Sequence, residues 1–588
     1  MVVMTRIAII DREVCIKEKC GYICMKVCPG VLMGDDTVTV DKDGFPVISE
    51  VLCTGCGICP KKCPVDCITI INLAEEAGTP VFQYGVNEFR QYGMPLAQKG
   101  VTGFVGKNGI GKTTSLRMLS GGLVPNFGEY GKKWELGDAA SKFKNEQAQY
   151  FRQLGKNELK VALKPQNVDK IPAHFKGRVR DLIAKADERK KMDDAVRLFD
   201  LEAALGKDIA EISGGELQRA AFAATWCRDA DIYYFDEPAS YLDIEQRMKV
   251  AVALKELSEE KKVIVVEHDL ALFDYLSEYV YIFYGQENAY GIVSGLKNTR
   301  SGINEYLDGF LREENVRFRD YPIKFQEAAA TESKADVKFH YPPLSKSFLH
   351  FKFEAEGGKI HRGEVVGIVG PNATGKTLFV KMLAGAEKSD SDEVGIGKLR
   401  VSYKPQYVKA VEGITVRELY SGQKLNAMVL EEAHRKLNVA SLMDKPLEHL
   451  SGGELQRVAI VLALSQDADI YLLDEPSAYL DVEQRLHLAG LVHRLIENSD
   501  KAAFVVDHDL LLVDAIASRL MVFEGESGKI GHASAPENKR DGLNKFLKKM
   551  GITLRRDPDS GRPRINKPGS ALDREQKEAG EYYHYKRE

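Results

Sequence analysis

Short, largely apolar runs recur along the chain, and they end on three kinds of chemistry. VTGFV (101–105) and EVVGIV (364–369) run into glycine-rich segments. IYYF (232–235) and IYLL (470–473) end on Asp-Glu, while VIVVE (263–267) and AFVVD (503–507) end on histidine. Such runs, bounded by glycine or charge, predict strands buried on both faces of a parallel sheet, with the chemical groups at its carboxyl edge. GELQRAAFAA (215–224) and GELQRVAIVLAL (453–464) predict helices, each opened by a serine and a glycine pair. The order is the same twice over. SGGELQR at Ser213–Arg219 returns letter for letter at Ser451–Arg457, and each copy precedes its Asp-Glu pair by 23 residues, from 213 to 236 and from 451 to 474.

At 588 residues the chain has room for about four domains. Its 82 basic and 86 acidic residues give a formal charge of −4, which selects no partner by itself. No run approaches the roughly 18 apolar residues of a membrane helix, and the start, MVVMTRIAIIDREVC, meets Asp11 before a signal-peptide core is complete, so a cytoplasmic protein is expected. Nine of the ten cysteines lie between Cys15 and Cys67, leaving Cys227 elsewhere; such crowding without a secretion signal favours metal or cluster ligation over disulfides.

Cys53, Cys56, Cys59 and Cys63 followed by Pro64 form C-x2-C-x2-C-x3-C-P, the bacterial ferredoxin run, in which the fourth thiolate serves the other cluster. Upstream, Cys15, Cys20, Cys24 and Cys28 followed by Pro29 make a looser version. The pair resembles a two-cluster ferredoxin, which implies one [4Fe-4S] cluster on Cys15, Cys20, Cys24 and Cys63 and another on Cys53, Cys56, Cys59 and Cys28. A structural zinc pair is the alternative. Cys67 has no partner in this scheme and is expected as a spare buried thiol near the second cluster.

GKNGIGKT (Gly106, Asn108, Gly109, Gly111, Lys112, Thr113, then Thr114) and GPNATGKT (Gly370, Asn372, Gly375, Lys376, Thr377) fit the phosphate-cradling loop. Its glycines free backbone N–H groups for phosphates, its lysine neutralises them, and its threonine ligates Mg2+. Asp236 and Asp474 are placed to hold Mg2+, and Glu237 and Glu475 to orient or deprotonate the attacking water. His268 and His508 end strands within reach of a γ-phosphate.

These halves resemble ATP-binding-cassette ATPase domains from about Tyr84 to Gly525. The resemblance implies that Gln166 and Gln406, in the KPQ triplets, sense Mg2+ and water. It makes Ser213, Gly214, Gly215 and Glu216, with Ser451, Gly452, Gly453 and Glu454, the signature motifs, and 239–243 (ASYLD) and 477–481 (SAYLD) the D-loops. It also implies composite sites, in which Lys112, Asp236, Glu237 and His268 face Ser451 while Lys376, Asp474, Glu475 and His508 face Ser213. Tyr84 and Phe89, and Phe351 in the second half, are candidates to stack on adenine, with plain core packing as the other reading.

The halves differ in one interval. From phosphate-loop lysine to Q-loop glutamine is 54 residues in the first half, 112 to 166, but 30 in the second, 376 to 406, so the first carries a 24-residue insert. Around Asp138–Lys160 it predicts a helix-loop-helix started at Gly137-Asp138 and stopped at Gly155, with Lys142, Phe143, Lys144, Tyr150 and Arg152 offered to a partner, or else a decorative surface helix. TRSGINEYLDGFLREENVRFR (299–319) is echoed by NKRDGLNKFLKKMGITLRR (538–556), which suggests paired hinge elements.

The expected architecture is α/β: residues 1–75 an α+β two-cluster ferredoxin-like domain, 76–294 and 339–531 two ATPase domains facing each other, 295–338 a first hinge and 532–588 a second with a basic tail. This combination resembles the RNase L inhibitor family, subfamily E of the ATP-binding-cassette proteins, the ribosome-recycling factors of archaea and eukaryotes. The resemblance implies ATP, Mg2+ and two [4Fe-4S] clusters as cofactors. It implies as partners the ribosome, chiefly its small subunit and RNA, a release-factor or Pelota-type factor, and initiation factors, with no membrane and a monomeric state. ATP-driven closure would move the iron-sulfur domain and split the ribosome. The competing readings are the ATPase subunit of a membrane transporter and an ATP-coupled redox protein.

Overall fold

The structure, a computed structural model, describes residues 5–73, 78–325, 336–391, 399–497, 499–558 and 560–583. The expected boundary at 75 and 76, residues 326–335 of the first hinge, Asp559 and the last five residues lie outside them.

Each half is built on a nine-stranded sheet of the same order. In the first, five parallel strands run Tyr279–Gln286, Gly100–Val105, Lys262–Val266, Ile232–Asp236 and Val161–Lys164. In the second they are Arg519–Glu526, Glu364–Val369, Ala502–Val506, Ile470–Asp474 and Val401–Lys404. The apolar runs are those strands, and their central members are buried along their whole length. Helices on both faces bury them because crossover connections between parallel strands must pass over the sheet.

A smaller wing extends each sheet through antiparallel pairings, Phe82–Gln83 with Arg90–Tyr92 in the first half and Leu344–Ser347 with Lys352–Ala355 in the second. Late strands complete it. Lys297–Asn298 and Ile530–Ala533 with Glu537–Asn538 carry the sheets past the expected domain ends at 294 and 531, and Val337–Tyr341 begins before 339. The expected limits were drawn from the ATPase motifs, which stop short of these closing strands.

The hinges echo each other in structure. The helices Thr299–Asp308 and Lys539–Met550 end on left-handed glycines, Gly309 and Gly551, and each is followed by a short antiparallel pair. Their apolar faces join one core with both halves, bringing Ile303, Tyr306 and Leu307 together with Leu270, Leu511, Leu543 and Phe546. Ion pairs lock each hinge onto the opposite half. Arg564 of the second hinge grips Asp274 of the first half at 2.5 and 3.1 Å, with the fully buried Arg562 at 3.4 Å. Tyr321 of the first hinge donates to Glu483 of the second half at 2.5 Å, with Arg319 at 3.4 Å.

The insert is a helix pair, Leu136–Lys142 and Asn145–Gly155. One expectation for it needs correction. Tyr150 is not offered to a partner: it is buried, with its hydroxyl 2.6 Å from that of Tyr234 on the strand leading to Asp236. Phe143 stacks on buried Phe151 at 4.7 Å. The aromatic residues seat the insert, and Lys142, Lys144 and Arg152 remain exposed.

The N-terminal domain pairs Thr5–Ile10 with Ile68–Leu73 over three short helices and a cysteine-rich core. Its other face packs Ile7 and Ile9 on Tyr92 and Ala289 of the first half. The Asn87 amide fastens it, accepting from Ile48 N at 2.8 Å and donating to the carbonyls of Ala8 and Ile48 at 2.9 and 3.0 Å.

Replacing Asp274 with Ala would strand the buried Arg562 guanidinium, and breaking such a pair costs about 3 kcal/mol or more. The expected outcome is a clear fall in Tm by calorimetry; an unchanged Tm would show that the hinge grip is dispensable.

Candidate functional site

The phosphate loops turn from strand to helix as their glycines require. Gly111 and Gly375 cap the helices Lys112–Leu119 and Lys376–Leu383 with φ of 94° and 97°. A Cβ at Gly111 would sit 1.8 Å from the buried Gln91 amide, and one at Gly375 2.5 Å from Phe353. Lys112 Nζ donates to Gly106 O at 2.8 Å and Lys376 Nζ to Gly370 O at 2.9 Å. Burial pushes both lysines down, Lys376 to about 8, and an anion in the loop would favour their charged form.

Thr113 Oγ1 donates to Asp236 Oδ2 at 2.8 Å. The other oxygen of Asp236 and both of Asp474 are buried and accept no hydrogen bond. Burial, with the neighbouring Glu237 or Glu475 charge adding, pushes Asp236 up to about 7 and Asp474 up to about 6. Buried carboxylates left this way suit a cation. Gln166 and Gln406 donate to Glu237 and Glu475 at 2.6 and 2.8 Å. Both glutamates adopt left-handed backbone, φ 46° and 44°, strain of the sort that functional sites hold in place. His268 and His508 stand with Nε2 3.5 Å from those glutamates, and none of their four buried ring nitrogens makes a hydrogen bond. Burial, with the Lys112 charge adding, pushes His268 down, which favours the neutral ring.

The halves meet at these groups. A cavity of about 640 Å3 is lined by Lys112, Thr113, Gln166, Glu237 and His268 from the first half and Ser451, Gly452 and Gly453 from the second. Two reciprocal contacts tie the halves together: Asn108 N donates to Asp481 Oδ2 at 3.2 Å, and Asn372 N to Asp243 Oδ2 at 2.8 Å. The carbonyls of Tyr479 and Tyr241 accept from the same two asparagine side chains, and the tyrosine hydroxyls touch at 2.8 Å. Ser213–Gly215 thereby comes beside Tyr241, next to the second phosphate loop.

Ser213 and Ser451 cap the helices Gly214–Trp226 and Gly452–Ser465 in reciprocal capping boxes with Glu216 and Glu454. Those glutamates also pair with Lys207 and Lys445, at 2.9 and 3.1 Å, so their carboxylates serve the cap. Tyr84 and Phe89 line the cavity. Phe351 occupies the place equivalent to Phe89, each preceding the strand that pairs with 290 or 530, and it packs on the second core.

The cysteines gather in two sets. Burial pushes Cys24 up to about 11, with Cys20, Cys15 and Cys63 as its neighbours; burial pushes Cys59 up to about 12, with Cys53, Cys56 and Cys28 beside it. Cys67 is not near the second set as expected. Its sulfur lies 3.5 Å from Cys63 of the first set, because Ile68 pairs with Ile10 and Asp11 N donates to Cys67 O, which holds Cys67 beside the turn that leads to Cys15. Among the described residues, no three Cys, His, Asp or Glu side chains converge tightly enough for a single ion.

Among families, the ABC transporter profile matches residues 89–240 and 356–478. The translation initiation factor RLI1 of Saccharomyces cerevisiae is 42% identical, over 98% of both chains. In a model of ribosome-bound archaeal Pelota and ABCE1, a chain 48% identical superposes at TM-score 0.91 with both chains fully covered. The archaeal ribosome recycling factor aABCE1, crystallised with the ribosomal stalk protein aP1, is 49% identical at TM-score 0.81, covering 86% of this chain and 99% of that one. This chain belongs to the ABCE1 family, the RNase L inhibitors.

As an ABCE1-family protein it is an ATPase with two ATP-binding domains. No helix among its described residues is long and apolar enough to cross a membrane. Sequence reading missed two supports in this ATPase. Gln218 and Gln456, buried in the signature helices, donate to the carbonyls of Glu237 and Glu475 at 2.7 and 2.9 Å. Lys164 and Lys404 donate to Asp236 O and Asp474 O at 2.9 Å. The signal was present: both residues sit in segments repeated without change, SGGELQR and KPQ.

Asp481→Ser keeps a helix cap at Val482–Ile496 but is too short to reach Asn108. ATP turnover is expected to fall about tenfold or more at nearly unchanged Tm, because a misplaced reacting group is costly. Full turnover would show that the cross-half contact is incidental.

Proposed function

We propose that this chain is an ATP-driven ribosome recycling factor. What carries the reading is the cavity shared between the halves, with the cysteine domain fastened through Asn87 to the loop that holds Tyr84 and Phe89. Closure on ATP can then be passed to that domain. The relatives support the target, one being named a ribosome recycling factor and another being ribosome-bound beside Pelota.

In this mechanism the loop N–H groups with Lys112 or Lys376 hold the outer phosphates, and Tyr84, Phe89 and Phe351 seat adenine. Ser451–Gly453 completes the first site and Ser213–Gly215 the second, each presenting a positive helix end to the γ-phosphate. Glu237 and Glu475 orient the attacking water and take its proton as the bond to the β-phosphate breaks, while His268 and His508 steady the γ-phosphate. Thr113, Gln166 and Asp236, with Thr377, Gln406 and Asp474, would hold Mg2+, which when bound neutralises charge on the phosphates.

The two thiol sets fit two [4Fe-4S] clusters, Cys15, Cys20, Cys24 and Cys63 with Cys53, Cys56, Cys59 and Cys28. When bound, the clusters cross-link a domain whose apolar core is small. The partners are the ribosomal small subunit and its RNA, a release-factor or Pelota-type factor and initiation factors, in the cytoplasm.

A sucrose gradient of ribosomes mixed with this protein, ATP and a release factor should show free subunits; intact monosomes under all conditions would sink the proposal. Charge reversal of the exposed Lys142, Lys144 and Arg152 is expected to weaken ribosome attachment and flatten its salt dependence while leaving ATPase activity in place. Glu237→Gln and Glu475→Gln should each trap ATP and the closed form yet slow turnover unequally; identical single-turnover hydrolysis would contradict that.

A further inference from the structure

After Asp236-Glu237 the chain reads Pro238-Ala239-Ser240-Tyr241, and after Asp474-Glu475 it reads Pro476-Ser477-Ala478-Tyr479. Serine and alanine have traded places, and the neighbouring strand compensates, with Glu267 before His268 but Asp507 before His508. In the second half the buried Ser477 donates its hydroxyl to Asp507 Oδ1 at 2.7 Å and its N–H to Oδ2 at 3.0 Å. In the first half Ala239 has no hydroxyl, and the longer Glu267 side chain reaches its N–H at 3.3 Å. Alanine with glutamate and serine with aspartate fill similar volumes, so the packing tolerates the exchange.

The hydroxyl left over in the first half lands on the reacting carboxylate. Ser240 Oγ donates to Glu237 Oε2 at 3.0 Å, and Gln166 already occupies Oε1 at 2.6 Å. Glu475 receives Gln406 on Oε1 at 2.8 Å, and Ala478 has nothing to offer. Among the described residues no hydrogen bond reaches Glu475 Oε2. Each oxygen of Glu237 therefore carries a protein donor, while Glu475 keeps one oxygen that carries none. A hydrogen bond to a carboxylate is among the stronger side-chain contacts, so the extra bond from Ser240 restrains Glu237 more than Gln406 alone restrains Glu475.

We propose that Ser240 is a positioning residue that restrains Glu237 and makes the first ATP site the slower of the two, with Ala478 leaving Glu475 free to engage water. The proposal rests on the role given above to Glu237 and Glu475. It gives the two sites different rates through the order of two small residues, independently of the insert and the N-terminal domain.

The test is single-turnover ATP hydrolysis by the full-length chain with one site silenced. In a Glu475→Gln background, Ser240→Ala is expected to speed the first site about fivefold, the effect of one net hydrogen bond. In a Glu237→Gln background, Ala478→Ser should slow the second site by a similar factor. ATP affinity should not move in either. Ser240→Thr, which keeps the hydroxyl, should retain the parent rate, a rescue that a purely packing role would not give. Unchanged or slower hydrolysis in Ser240→Ala overturns the proposal. If Glu237→Gln alone leaves first-site hydrolysis intact, the role of the glutamate has failed instead. If silencing one site stops both, steady-state turnover decides: Ser240→Ala above Ser240→Thr supports the proposal, and equal rates overturn it.

Discussion

The reciprocal contact of each Asn in a phosphate loop with an Asp in the other half's D-loop is the constraint on which the functional geometry depends. Asp243 and Asp481 each do two jobs, capping their own helix and accepting from Asn372 or Asn108 across the interface. A carboxylate shared in this way ties the start of one half's helix to the nucleotide loop of the other. It also brings Ser451–Gly453 into the cavity that holds Lys112, Glu237 and His268. Neither half alone supplies a finished site.

Around this reciprocal core the molecule is asymmetric in three places. The N-terminal domain sits on the first half alone, fastened by Asn87 and an ion pair of Arg90 with Glu50 at 2.6 Å. The insert is anchored to the first half's Tyr234, next door but one to Asp236. The traded serine and alanine treat the two glutamates differently. A duplicated motor with identical sites would have no preferred order of events; these differences allow one.

Much of this was legible in the sequence because it is local. Apolar runs ending on Asp-Glu or His marked the central strands, and fixed spacing marked the phosphate loops and thiol sets. Partner choice over long distances was not legible. That Tyr150 turns inward depends on Tyr234, and that Cys67 lies by Cys63 depends on how the strand from Ile68 returns. Domain ends were misjudged where late strands such as Ile530–Ala533 join sheets whose motifs lie far upstream. The exchange of Ser and Ala was visible in the letters, but only distances show which carboxylate each hydroxyl reaches.

The composite character of the sites is tested most directly by blocking each signature helix while only the first phosphate loop binds ATP. In a chain carrying Lys376→Ala, single-turnover hydrolysis is measured with Ser451→Arg or with Ser213→Arg. The account predicts that Ser451→Arg, in the second half, abolishes hydrolysis at the first half's Lys112 while Ser213→Arg leaves it standing. Loss with Ser213→Arg and survival with Ser451→Arg would contradict it.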